Sequence, residues 1–441
     1  MGRVKQRYPV ELIVTHVAPH EDELRAIAIG RRWGTILLPG FADALIGLVD
    51  AGLHSKRRWN GWDYLIHERT ACVGVLGGPF DEHEEVFGDS ARDNAATKMA
   101  RYLGVAEFAG LQRMLAYSLG ADRDAHDSPF ELASLIKACW GAEMELADVV
   151  GMDAIIFDAY FRLDSGEATA PIPDGAFQRL MADWVVLRFG SSAPSEFRSV
   201  LDAAEAFGVV GDLGMAQILE FALREGKLST KRPFDLESIW EALVAAKVPS
   251  ERVRSIVFAF LTAKHHQQTQ YMAARAAYAA EAKLVEGCPY KIIVVKTDNS
   301  EMKHAVRSAD TDVDVLIQVR SSGSINIFDL HQRLPMEYVL ARLREEERRA
   351  KADPGEPINL DVLRQPGTLK RVPEWFGFYG CHNGTLTAPN TPVTRLSLGR
   401  IVDIVREGLS RAFAEQGVEP RARARERRAK ERIAKAMLKA S

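Results

Sequence analysis

The stretch VELIVTHVAPHEDELRAIAIGRRWG, residues Val10 to Gly34, joins two unlike segments. Its first part, VELIVTH, is a short apolar run that reads as a β-strand. Its second, from Glu21 onward, reads as a helix whose first turn carries Glu21, Asp22 and Glu23, acids that suit the positive end of a helix dipole. The joint between them holds His16, His20, Asp22 and Glu23 within a few residues, four side chains able to bind a metal or move a proton. Two readings of that joint stand. It is the polar first turn of a solvated helix, or it is a set of imidazole and carboxylate donors held close enough to share a divalent ion.

Working outward, GTILLPG (34–40) reads as a second strand, DALIGLVDAGL (43–53) as a helix and ACVGVLGG (71–78) as a strand. Strands alternating with helices predict an α/β unit with a parallel sheet, and ligands of such units gather beyond the carboxyl ends of the strands. From about Ser90 to Ala280 the pattern turns mostly helical, ending in the Ala-rich AKHHQQTQYMAARAAYAAEAKLVE. A second, smaller α/β portion follows. It has the strand YKIIVVKTD, a hairpin in DVDVLIQVRSSGSINIFDL turning at Ser321-Ser322-Gly323, the charged helix EYVLARLREEERRAKA, a Pro- and Gly-rich loop, and the helix SLGRIVDIVREGLSRAFAEQ. The expected division is 1–145, 146–285 (helical connector), 286–410 and a basic helical tail, 411–441.

With 441 residues, two or three domains are expected. A net charge of -3 and a pI near 6.4 exclude a basic nucleic-acid binder as a whole, yet the last 21 residues carry nine Arg or Lys against two Glu. That tail is read equally as a track for nucleic-acid phosphates or as a solvated or docking helix. Cys72, Cys139, Cys288 and Cys381 lie far apart with no CxxC pair, which argues against a zinc knuckle or disulfide framework and for a reducing compartment. No apolar run approaches a membrane span, and Gly2 lacks the Ser or Thr of a myristoylation signal; a cytoplasmic protein without membrane attachment is expected.

Two further loops carry chemistry-bearing residues. In GGPFDEHEE, Gly77 and Gly78 permit unusual dihedrals and close backbone approach, and Asp81 and His83 follow. The stretch is otherwise an ordinary exposed acidic loop. In RDAHDSPF, Asp124 and His126 are candidates, whereas Asp127 or Ser128 reads better as the N-cap of the next helix, with Pro129 in its first turn. His265 and His266 are adjacent on a helix and face different ways, which speaks against a shared metal. RRWNGWDYLIHERT (57–70) mixes aromatics with Arg and is read as a packing patch before a base-stacking one.

Taken in order, these three loops resemble the DHH phosphoesterase superfamily, nearest its Myg-type exonuclease branch (proteins like the melanocyte proliferating gene protein). His16-x3-His20-x-Asp22 is similar to the His-x3-Asp-x-Asp motif that follows a strand in that family, and HEDE to the HCDE of the Myg-type branch. Asp81 and His83 match the outer positions of the Asp-His-His motif, with Glu82 at its centre, and RDAHDSP is similar to the later Asp motif through Asp124 and Asp127. WFGFYGCHNGTLTAPNTPVTRLSL is similar to a W-F-x-H-x-G region of bacterial relatives. The resemblance spans the first 140 residues or so and the last 150.

The resemblance implies a metal-dependent phosphoesterase of the hydrolase class, binding Mn²⁺ or Mg²⁺ and cleaving phosphodiester bonds in short RNA or DNA or a nucleotide. It implies His16, His20, Asp22, Asp81 and Asp124 as metal ligands, and His83 and His126 as groups that orient the phosphate or act as general acid. In the second α/β portion, His382, Asn383, Gly384 and Arg395 are the candidate phosphate contacts, although Asn383-Gly384 reads more readily as a hairpin turn. The chain also departs from the family. The acid expected just before the glycines is absent, with Gly74 and Val75 there instead, so Glu23, Glu82 or Asp63 would have to complete a two-metal set. The alternative is a nucleotide- or nucleic-acid-binding protein that keeps the fold without the full metal set.

Overall fold

The apolar run after Pro9 forms β1 (Leu12–His16), the middle strand of a three-stranded sheet in which β2 (Leu45–Val49) and β3 (Thr70–Cys72) flank it, both parallel to it. The computed structural model describes residues 6–49, 60–81, 93–123, 130–168, 176–189, 234–331, 334–352, 358–378, 385–390, 392–417, 419–420 and 423. Within these the chain divides into two compact units, residues 1–268 and 269–441.

β1 is buried from Ile13 to His16, as expected of a parallel strand with neighbours on both edges. α1 (Glu21–Trp33) follows, and every residue from Glu21 to Gly30 is buried, acids included. It is therefore a core helix, not a solvated one. Residues 34–40, read above as a strand, form turns instead. Gly34 closes α1 by donating to the Gly30 carbonyl at 2.8 Å, Leu38 donates to Gly34 at 2.6 Å, and Gly40 has φ +87°. The segment read as a helix, 43–53, instead contains β2, whose Leu45 to Val49 align with Leu12 to His16. A five-residue apolar run has no decisive period, Gly47 weakens it as a helix, and the open edge of β1 supplies ladder partners.

Beyond the sheet the first unit is helical as expected: α2 (Gly61–His67), α3 (Ala95–Leu103), α4 (Ala109–Arg123), α5 (Leu132–Gly141), α6 (Leu146–Asp164), α7 (Ala176–Phe189), α8 (Leu236–Ala245) and α9 (Ser250–Glu281). One apolar core runs from Val10 and Ile13 on the strand side to Phe260 and Ala263 in α9, and the division between the units falls within that helix. The N-cap of α5 is Glu131; Asp127, Ser128 and Pro129 lie outside the described residues. No helix among the described residues is long and apolar enough to cross a membrane.

The second unit carries a mixed seven-stranded sheet. In order across it lie β4 (Lys283–Val285), β5 (Ile292–Lys296), β6 (Val315–Val319), β7 (Ile325–Asp329), β10 (Thr385–Ala388), β9 (Val372–Phe378) and β8 (Gly367–Leu369). β5 and β6 are parallel, separated by α10 (Met302–Ala309), and β6 and β7 form the expected hairpin, with Gly323 at φ +87° in its turn. The Pro- and Gly-rich loop includes a single helical turn, α12 (Leu360–Leu363). α11 (Met336–Ala350) and α13 (Leu398–Gln416) pack on one another.

The charge-rich α11 has an inner face of its own. Arg344 is fully buried and donates to the carbonyls of Leu363, Gln365, Gly367 and Trp375. Glu347, equally buried, accepts from Trp375 Nε1 at 3.1 Å, from the Arg395 N–H at 2.8 Å and from the Thr394 hydroxyl. Two charges thus fasten the 363–367 segment, Trp375 of β9 and the backbone at Arg395 to α11. Arg344→Leu is expected to lower the stability of this unit by about 2 kcal/mol, because Gln365 is exposed and water can take over some of the released carbonyls. Chemical denaturation checks this; an unchanged midpoint would contradict it.

Candidate metal centre

The joint that ends β1 folds back on itself. Val17 donates to the Val49 carbonyl at 2.9 Å, Ala18 takes a left-handed φ of +58°, and the Pro19 carbonyl accepts from Trp140 Nε1 at 2.8 Å. A non-glycine residue in that region is strained and persists only where its surroundings enforce it. The turn brings the rings of His16 and His20 to a centroid separation of 4.8 Å, inclined at 70°. Glu23, one turn into α1, reaches back to both: Oε1 lies 2.9 Å from His16 Nε2, and Oε2 accepts from the His20 N–H at 2.6 Å. One ligand atom from each of His16, His20 and Glu23 falls within 4.8 Å of the other two.

The pair of contacts at His16 orients its ring. Nδ1 is 2.7 Å from the Val17 carbonyl, which can only accept, so Nδ1 carries a hydrogen and Nε2 faces Glu23. Burial opposes ionisation of Glu23, yet its hydrogen bond from His16 and the charges of both histidines outweigh burial and hold the carboxyl below its ordinary range. His20 has an exposed ring in a crowded rim. Loss of solvent around it, against the pull of Glu23 and with the push of His16, keeps it below its ordinary value and neutral near pH 7. Two inward-facing donors and a neutral imidazole at the surface fit a divalent cation, which requires deprotonated ligands and an entry side.

Gly74 explains how Glu23 gets there. It sits two residues past β3 at φ +65°, and a Cβ built on it would lie 2.6 Å from Glu23 Cγ and Oε1. The carboxylate of Glu23 occupies the space that a side chain at position 74 would take. A carboxylate from α1 thus lies beside Gly74.

The other candidates are placed as follows. Asp22 is buried, lies against Glu23 and accepts from the Ala95 N–H at 3.3 Å, which sets it on the N-terminal turn of α3. Asp81 is fully buried; its Oδ2 accepts from Gly77 N–H at 2.7 Å and its carbonyl accepts from Lys98. Neither belongs to the three-residue group. Asp63 closes the capping box of α2 with Asn60. His83, Glu82, Asp124, His126, His382, Asn383 and Gly384 lie outside the described residues. Arg395, in the second unit, has its N–H tied to Glu347 and is exposed. His265 is buried beside Trp184 while His266 is exposed, and Trp62 packs edge-on against Tyr8. Glu23 is the member whose role the sequence reading left open. The signal available for it is its place three residues after the helix N-cap, where a Glu side chain folds back over that cap.

No family model matches the chain, and no curated protein matches it. Among solved structures it is similar to a DHH domain described as belonging to a family of ribosomal proteins, at 9% identity and a TM-score of 0.34, over 91% of this chain and 87% of that one. At that TM-score the likeness assigns no function.

Proposed function

We propose that the chain is a metal-dependent phosphoesterase that hydrolyses phosphodiester bonds, in short RNA or DNA or in a nucleotide. The observation that supports this most is the meeting of His16, His20 and Glu23 at the carboxyl end of the central parallel strand, where α/β folds place ligands. The ordered resemblance of three loops to the DHH superfamily supplies the substrate class and points to Mn²⁺ or Mg²⁺. A cation there would contribute Lewis acidity toward phosphoryl oxygens and make water a stronger nucleophile near neutral pH.

The protein's own groups have separate tasks. His16 and Glu23 hold the buried side of the centre, with the Val17 carbonyl fixing the His16 ring. His20 closes the rim and is neutral at working pH. Asp81 holds the glycine turn through Gly77, and His83 with His126 is proposed to orient phosphate or donate a proton. The basic tail is proposed to contact nucleic-acid phosphates. A second reading, a binding protein without hydrolysis, is favoured by Gly74 standing where the family has an acid.

The test uses the full chain on a chromogenic phosphodiester and on a short oligonucleotide, across divalent ions. Metal-dependent release of product is expected, with His16→Ala and Glu23→Ala each lowering the rate by at least about 100-fold. A wild-type chain inert with every ion that still binds the oligonucleotide would establish the second reading instead.

A further inference from the structure

Resting on that reading of the centre, we infer that it is a one-ion site of two imidazoles and one carboxylate that selects a borderline transition ion such as Zn²⁺, Fe²⁺ or Co²⁺ over Mg²⁺, with Glu23 reaching it through the space left by Gly74. Three observations carry this. The first is the donor set. Imidazole nitrogen suits zinc, iron, cobalt and nickel, whereas Mg²⁺ takes carboxylates, phosphates and water, and Mn²⁺ stands lowest in affinity for a mixed nitrogen and oxygen site. Two of the three donors here are imidazoles.

The second is the place of the neighbouring acids. A second ion needs further carboxylates around it. Among the described residues, Asp22 and Asp81 stand outside the three-residue group, each with one oxygen on a backbone N–H (Ala95 and Gly77), and position 74 has no side chain to offer. The third is the support around the donors. The His16 Nδ1–H to Val17 carbonyl contact at 2.7 Å is the outer hydrogen bond that orients a metal-binding imidazole. The Glu23 carboxylate stands where a Gly74 Cβ would be, so the side-chain path of the acid depends on that glycine. Three protein donors with an exposed histidine on one side leave coordination positions open, as reactive zinc sites do.

The experiment loads the metal-free full chain with Co²⁺ and follows visible absorption, with the bound metal counted by elemental analysis and affinity measured by calorimetry. One Co²⁺ per chain is expected, with the strong visible bands of a low-coordinate site, displaced by Zn²⁺ and not by millimolar Mg²⁺. Glu23→Gln keeps the side-chain shape and is expected to weaken Co²⁺ by about 100-fold or more. Gly74→Ala is expected to do the same by pushing Glu23 aside; because it also strains φ, its melting curve is recorded, and Glu23→Gln decides the matter if Gly74→Ala does not fold. Two ions per chain, effective competition by Mg²⁺, or unchanged binding by Glu23→Gln would overturn the one-ion, nitrogen-rich assignment and leave the hydrolase reading intact. Failure to bind any divalent ion would overturn both.

Discussion

Replacing Arg25 by leucine is expected to lower the stability of the first unit by about 3–5 kcal/mol, as removal of one partner from a buried ion pair does. Arg25 is fully buried on α1. Its Nε donates to Glu21 Oε1 at 3.0 Å, its Nη2 donates to Asp153 Oδ1 on α6 at 3.1 Å, and its guanidinium stands 5.4 Å from the Phe157 ring centre. Glu21 and Asp153 are buried too, and Glu21 Oε2 and Asp153 Oδ2 have no hydrogen-bond partner among the described residues. Leucine would fill much of the volume but leave two acids without a cation. One of them would have to take up a proton.

That forecast carries a pH dependence with a definite sign. Burial, opposed by Arg25 and reinforced by Glu21, pushes the Asp153 carboxyl up from 3.8 to about 6. The folded state therefore binds more protons than the unfolded one between those values. The contribution of this group is most favourable at the acid end and declines by roughly 3 kcal/mol as pH rises through the window. Asp153→Asn should flatten that slope relative to the parent chain. Arg25→Leu should steepen it and extend it upward, so its deficit is smaller at pH 5 than at pH 8. Urea denaturation at both pH values decides; a deficit below about 1 kcal/mol at pH 8 would sink the account.

The same residues show what a linear reading can and cannot reach. β1, α1 and the parallel sheet are legible because a β-branched apolar run and an acidic first turn are local signals. The burial of Glu21 and Arg25 is not, because it depends on Asp153, which is 128 positions from Arg25. β2 was hidden by its shortness: Leu45 to Val49 fit either period, and only the open edge of β1 chooses between them. α11 was legible as a helix, yet Arg344 and Glu347 look like their solvated neighbours until Trp375 and the 363–367 segment pack against them. At the centre, His16 and His20 announce themselves by type and spacing. Glu23 is readable only as one of several acids there, since a glutamate at the third helical position has an ordinary task as a capping group, and it performs that task here while also facing His16. What distinguishes it is the missing side chain at Gly74, a residue distant in sequence that only the fold brings against it.

The largest steric effect is expected at Gly61, where Gly61→Ala should cost about 3 kcal/mol or more, the upper end of what overpacking does when backbone is the obstacle. A Cβ on Gly61 would fall 1.8 Å from the Gly77 carbonyl oxygen and 2.9 Å from its carbon. Gly61 N–H already donates to the Leu76 carbonyl at 2.9 Å, so the start of α2 and the glycine turn are in direct backbone contact. The turn cannot simply retreat. Leu76 and Gly77 hold positive φ values of +64° and +65°, and Gly78 one of +121°. Gly77 is also bonded to the buried Asp81. Displacing it would disturb Gly74 at its start, and with Gly74 the space that Glu23 uses. Gly61→Ala should therefore lower both the melting temperature and the affinity for Co²⁺. Gly104→Ala is the matched control: Gly104 has φ +76° with no atom within 4 Å of its Cβ position, so it bears only the left-handed backbone strain of about 1–2 kcal/mol and leaves the metal affinity unchanged. If Gly61→Ala proves no more costly than Gly104→Ala, the glycine turn is not held by that contact, and the path from α2 to the metal centre fails with it.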